Sequence, residues 1–118
     1  MVHPYRLAAP LIAGVIALLW SSPLAAGQDA ALVAKGQAVY AAQKCQMCHS
    51  IEGKGSKVSP LDGVGTRLSA EEIRKWILEP VAMSKEAKST KKPPMPNRYS
   101  KLPPADVDAL VAYMQSLK

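Results

Sequence analysis

Apolar residues recur at three- and four-residue spacing in three stretches of this chain. Between residues 30 and 43, Leu32, Val33, Gly36, Val39 and Tyr40 fall on one face, which predicts a helix from Ala30 to Gln43. In "SAEEIRKWILEP", Ile73, Trp76 and Ile77 make a second stripe. Ser69 is placed to cap that helix, and Glu72, three residues on, completes a capping box. Pro80 is expected to end it. Val107, Leu110, Val111, Met114 and Leu117 make the third stripe, on a helix starting near Pro104, a good first-turn residue. Between the stripes lie polar, turn-rich segments. "EGKGSKVSPLDGVGT" (52–66) holds four glycines and a proline and reads as a loop with tight turns. Residues 81–101 carry no helical stripe and are expected to be irregular. No segment alternates convincingly as a strand, and no internal repeat is present.

The opening segment has a different pattern. A weakly basic start (His3, Arg6) precedes an apolar run from Leu7 to Trp20, followed by the small residues Ser21, Ser22, Ala25, Ala26 and Gly27. That order is the pattern of a secretory leader. The run is shorter than the roughly 20 residues a membrane-spanning helix needs, and Pro10 interrupts it. Cleavage near Ala26 or Gly27 is therefore expected, dividing the chain into a leader (1–27) and a functional domain (28–118) that resides in the periplasm without stable membrane insertion. So short a mature domain is marginal for burying a self-sufficient core. It also lacks Phe altogether. The whole chain is basic, with 15 Lys and Arg against 9 Asp and Glu.

The only two cysteines, Cys45 and Cys48, sit in "KCQMCHS" with His49 directly after the second. No other thiol exists to make a disulfide framework. A structural zinc site wants four protein ligands. Two Cys and one His fall short, since His3 leaves with the leader. A thioredoxin-like dithiol opens a helix after a strand. Here the run follows a predicted helix, and no strand is predicted. The remaining reading is Cys-X-X-Cys-His as a site of covalent haem attachment. Two thiols add to the two vinyl groups, the spacing lets one turn of chain reach both, and His49 supplies a ring nitrogen to the iron. An attached haem also adds apolar bulk to a chain short of it.

With no second histidine in the domain, methionine is the common ligand left for the opposite face of the iron. Met1 leaves with the leader, Met47 lies inside the attachment run, and Met114 belongs to the apolar stripe of the last helix. Of Met83 and Met95, Met95 is preferred. It lies in "PPMP", where prolines stiffen the backbone and preorganise a ligand loop.

At this point the chain resembles a class I cytochrome c. The resemblance is carried by "GQAVYAAQKCQMCH", "SPLDGVGTRLSAEEIRKWILEP" and "PPMPNRYSKLPPADVDALVAYMQSLK" and covers nearly all of residues 28–118. It implies an all-α fold, three main helices and loops wrapped around one covalently bound haem c. It implies that Gly36 and Tyr40 on the first helix meet Leu110 and Tyr113 on the last. It implies that the Pro60 carbonyl accepts the ring N–H of His49, and that Arg67 and Trp76 approach haem propionates. The "LPPAD" start of the last helix departs from the family habit of a Ser or Asp cap.

A haem with both axial positions filled by protein has no open site for a substrate, so one-electron transfer rather than enzyme catalysis is expected. The basic segment from Lys85 to Lys101 flanks Met95 and is expected to steer an acidic redox partner to the haem edge. Nucleic acid is not expected, for an exported chain without a recognition motif. The protein is read as a soluble carrier, a monomer. The alternative is a haem subunit held in a periplasmic dehydrogenase complex.

Overall fold

The computed structural model describes residues 24–118, with side chains from Asp29 onward. The expected leader lies outside the described residues except for 24–27, which belong to the first turn of helix α1 (Leu24–Ala42). Lys44 then adopts a left-handed conformation (φ 56°), ends the helical path, and leads into a 3-10 turn at Cys45–Met47.

The segment after the turn departs from expectation. His49–Ile51 forms strand β1, which pairs antiparallel with β2 (Lys54–Gly55) and parallel with β3 (Ser59–Pro60). Glu52 (φ 52°) and Gly53 (φ 77°) make the two-residue turn between β1 and β2, both with the positive φ that a tight hairpin requires. The Asp62 side chain accepts the Glu52 backbone N–H at 2.7 Å and steadies that turn. Strands of two or three residues are too short to show alternation, which is why the segment reads as plain loop.

Helices α2 (Val64–Arg67), α3 (Ala70–Leu78) and α4 (Pro80–Glu86) follow. The capping box on α3 is present in both directions, Ser69 Oγ accepting from the Glu72 N–H and Glu72 accepting from the Ser69 N–H. Pro80 does end α3, but it also starts α4 as its first-turn residue. The stretch expected to be irregular is therefore helical as far as Glu86. A proline there gives up no hydrogen bond, because first-turn N–H groups have no partner within the helix.

The last helix, α5 (Pro104–Ser116), is the centre of the core. Val107, Leu110, Val111 and Met114 are buried, as their stripe predicts, and Leu117 just beyond the helix is half-buried. Pro103 precedes the helix without a side-chain cap, and Asp106 stands in the first turn. Helix α1 crosses α5 at Gly36. A Cβ placed there would overlap the Ala109 carbonyl and lie 2.6 Å from Tyr113 Cβ. Four residues on, Tyr40 packs edge-on against Tyr113, centroids 5.7 Å apart at 85°. The expected meeting of α1 with Tyr113 is thus present, and the closest backbone approach at Gly36 is to Ala109. On another side of α5, Gly65 of α2 lies against the Gln115 backbone, where a Cβ would come within 2.7 Å of the carbonyl carbon.

Candidate haem site

These elements enclose a cavity of about 570 Å³, within the usual range for small-molecule and cofactor sites. Leu61 and Val64 and the α3 residues Ile73 and Ile77 give it apolar walls, with Leu110 of α5 behind.

All seven residues singled out in the sequence border this cavity. Cys45 and Cys48 come from the 3-10 turn and the residue after it, both half-buried free thiols. Burial pushes the Cys45 thiol up to about 11, partly opposed by its own backbone N–H and by the charge of Arg98. His49 stands at the start of β1. Its Nδ1–H donates to the Ser59 carbonyl at 2.9 Å, which fixes the ring and leaves Nε2 without a proton, able to bind a metal. Burial also lowers the His49 pKa, against the opposing effect of the Ser59 hydrogen bond, and this favours the neutral imidazole a metal needs.

The acceptor is therefore Ser59, not Pro60. The parallel pairing sets His49 opposite Ser59 and Ser50 opposite Pro60, so the expected carbonyl is one position out of register. Pro60 borders the cavity and takes its place in β3.

Met95 is half-buried between Pro94 and Pro96, all three on the cavity wall. Met83, the other candidate, lies on α4 and is not part of that wall. Met114 borders the cavity from inside the α5 core, and Met47, 70% exposed, borders it from outside. Arg67, at the end of α2, donates from its guanidinium to the Asp62 carbonyl. Trp76 contributes a half-buried ring from α3.

Tyr40, expected at the helix crossing, is a site residue as well. It borders the cavity, and its buried hydroxyl has no hydrogen-bond partner among the described residues. Burial pushes its pKa up to about 12. A buried donor left unpaired is unfavourable by about 1–3 kcal/mol, so the cavity is built for an occupant that brings an acceptor. A haem, with its apolar plate and its carboxylates, meets both the apolar walls and the lone hydroxyl. The pair of thiols beside a metal-ready histidine supplies the means of attachment.

Walls, thiols and imidazole together define a covalent c-type haem site. The chain belongs to the cytochrome c family, whose model, described as Cytochrome c, matches residues 33–118. No curated protein and no solved structure matches the chain. The family carries haem c covalently, and Cys45 and Cys48 are the two cysteines at the attachment spacing. The domain is thus an electron-transfer module working through haem, mostly helical as the sequence implied. No helix among the described residues is long and apolar enough to cross a membrane.

Proposed function

We propose that the protein is an exported one-electron carrier whose haem iron is held between His49 and Met95. The observation that carries this reading is the single cavity wall shared by both thiols, His49 and the proline-braced Met95, from which Met83 is absent. Bound haem supplies reversible one-electron exchange between ferrous and ferric iron. The chain's own residues do the rest. Cys45 and Cys48 anchor the group, and the Ser59 carbonyl holds the His49 ring and raises its basicity. Prolines 93, 94 and 96 limit the freedom of the Met95 loop, so the ligand set changes little between oxidation states. Met95 as a ligand raises the potential relative to a second nitrogen. Leu61, Val64, Ile73 and Ile77 keep water from the plate. Arg67 and Trp76 border the cavity, and on this reading they meet the propionates. The leader pattern in residues 1–27 supports a periplasmic location.

Met95→Ala is expected to abolish the weak long-wavelength sulfur-to-iron band of the oxidised holoprotein, with Met83→Ala leaving it intact. Persistence of the band in Met95→Ala refutes the ligand assignment. Rapid, tight carbon monoxide binding by the reduced wild type refutes it as well. The second reading, a haem subunit of a periplasmic dehydrogenase complex, is favoured by Met47 and Val58, large apolar side chains exposed at the cavity mouth. The size of the native protein on gel filtration from its source separates carrier from subunit.

A further inference from the structure

The cavity wall at α2 is held from behind. Val64, Arg67 and Leu68 border the cavity, at the three- and four-residue spacing of one helix face. Gly65 lies on another face, against the backbone of Gln115 near the end of α5. Neither Gly65 nor any residue from Gln115 to Lys118 borders the cavity. Helix α2 is a single turn of four residues, and so short a helix is not stable alone in water. Its first N–H groups and its last carbonyls have no partner within the turn.

Three hydrogen bonds between this turn and the end of α5 satisfy groups of that kind. The Gly65 N–H donates to the Leu117 carbonyl at 2.8 Å. Lys118 Nζ donates to the Gly65 carbonyl at 2.9 Å, and Gln115 Nε2 to the Leu68 carbonyl at 2.8 Å. The absence of a side chain at Gly65 lets the two backbones meet, so their separation is fixed as well as their register. Arg67 rides on the turn held in this way. In front, its guanidinium donates to the Asp62 carbonyl, which leaves most of its five N–H donors for a group in the cavity. Gln115 grips the residue directly after Arg67 and is half-buried. Its amide is neutral, so it can act on the cavity only by placing what α2 carries.

We propose that Gln115, backed by the Leu117 carbonyl and Lys118, is a positioning residue for Arg67. The end of α5 fixes the turn from which Arg67 presents its guanidinium to a haem propionate, and by this route it tunes the haem potential. This rests on the reading of Arg67 as a propionate partner given above.

The test is a double-mutant cycle on the midpoint potential of the holoprotein, measured by equilibrium titration against redox dyes. A cation at the propionate favours ferrous haem, which carries one positive charge fewer, so Arg67→Gln is expected to lower the potential. Gln115→Met keeps the size of the side chain and removes the donor. Moving one charge of a pair from about 4 to about 6 Å weakens the attraction by about one third. Gln115→Met is therefore expected to lower the potential by about one third of the Arg67→Gln shift. In the Arg67→Gln background it is expected to add nothing, because no guanidinium remains to be displaced. Ser116→Ala removes a hydroxyl that donates to the Tyr113 carbonyl within the same helix end, and leaves the potential unchanged.

An unchanged potential in Gln115→Met beside a clear shift in Arg67→Gln overturns the proposal and leaves the propionate reading standing. A Gln115→Met shift that persists in full in the Arg67→Gln background overturns it too, since it would report a general loosening of α2 rather than the placing of Arg67. If Gln115→Met does not fold around haem, Lys118→Met carries the same cycle. The part of its shift owed to the lost charge is the same in both backgrounds and cancels. An Arg67→Gln protein with the wild-type potential refutes the propionate reading itself, a different failure from a Gln115 that does not act through Arg67.

Discussion

Replacing Gly36 by alanine tests the packing that holds the haem cavity together. Two effects oppose each other. Alanine is a better helix former than glycine by about 1 kcal/mol in a helix interior. Against this, the new methyl would lie 2.6 Å from Tyr113 Cβ and 2.8 Å from the Ala109 carbonyl carbon, where carbon atoms prefer about 3.5–4.0 Å. Neither neighbour is the far end of a flexible side chain, so no rotamer change relieves the overlap. Helix α5 is also held at Gly65 by a second close backbone approach, which restrains it from moving aside. Overpacking of this kind destabilises by about 1–3 kcal/mol. The loosened Tyr40–Tyr113 contact adds about 0.5–1.5 kcal/mol at most. The net expectation is a loss of about 1–2 kcal/mol, or roughly 4–16 °C in Tm for a domain of this size. Thermal unfolding of the holoprotein, followed by far-ultraviolet circular dichroism, measures it. Gln37→Ala, on the exposed face of the same helix, serves as the control and is expected to lie within about 0.5 kcal/mol of wild type. A Gly36→Ala protein as stable as wild type, or more so, would show that the crossing has room for a methyl and refute the argument.

Three further outcomes follow from named contacts. Ser69→Ala removes half of the capping box and is expected to destabilise by about 1 kcal/mol in denaturant titration. The Ser69 hydrogen bonds hold the Glu72 carboxyl below its usual range. That contribution is present above the ordinary carboxylate pKa and lost as pH falls through the lowered one, so the wild-type advantage over Ser69→Ala should shrink in acid. Tyr40 behaves in the opposite sense. Its folded pKa of about 12 lies above the ordinary 10.0, so its contribution is full below pH 10.0 and declines as pH rises toward 12. Tyr40→Phe is expected to flatten that alkaline loss, and an unchanged pH profile in the variant would count against the assignment. Arg74→Ala breaks an exposed ion pair with Asp108 (2.6 Å) and is expected to alter stability by less than about 1 kcal/mol.

Much of the site was legible because its residues are chemically scarce. One Cys-X-X-Cys-His run and one methionine among prolines leave few alternatives, and all border one cavity. Helices α3 and α5 were legible because their stripes and the Ser69–Glu72 box are local signals, settled within one or two turns of chain. What escaped depends on partners remote in sequence or on a shift of one residue. Ala109 carries no signal of its own and matters only because Gly36 lies against it. The Ser59 carbonyl rather than that of Pro60 accepts the His49 ring N–H through strand register, which strands this short do not announce. Pro80 is both the stop of one helix and the start of the next, since the same missing N–H suits both. Lys44 and Arg67 join Lys91 and Arg98 on the cavity wall only after the chain has folded.

The crossing of α1 with α5 has a kinetic consequence. Gly36 and Ala109 lie near opposite ends of the described chain, so the contact that closes the core is also among the most distant in sequence. Such pairing is slow, because the entropy of closing a long loop is lost before the contact repays it. Synthesis runs from the amino end, and α5 is the last helix to emerge. Until then the α1 face bearing Gly36, Val39 and Tyr40 has no mate, and the wall that Leu110 and Met114 supply to the cavity does not exist. The thiols of Cys45 and Cys48, by contrast, are made early and lie on a short turn that needs only local contacts. Attachment chemistry can therefore act on an open chain, with helical closure as the later event that seals it.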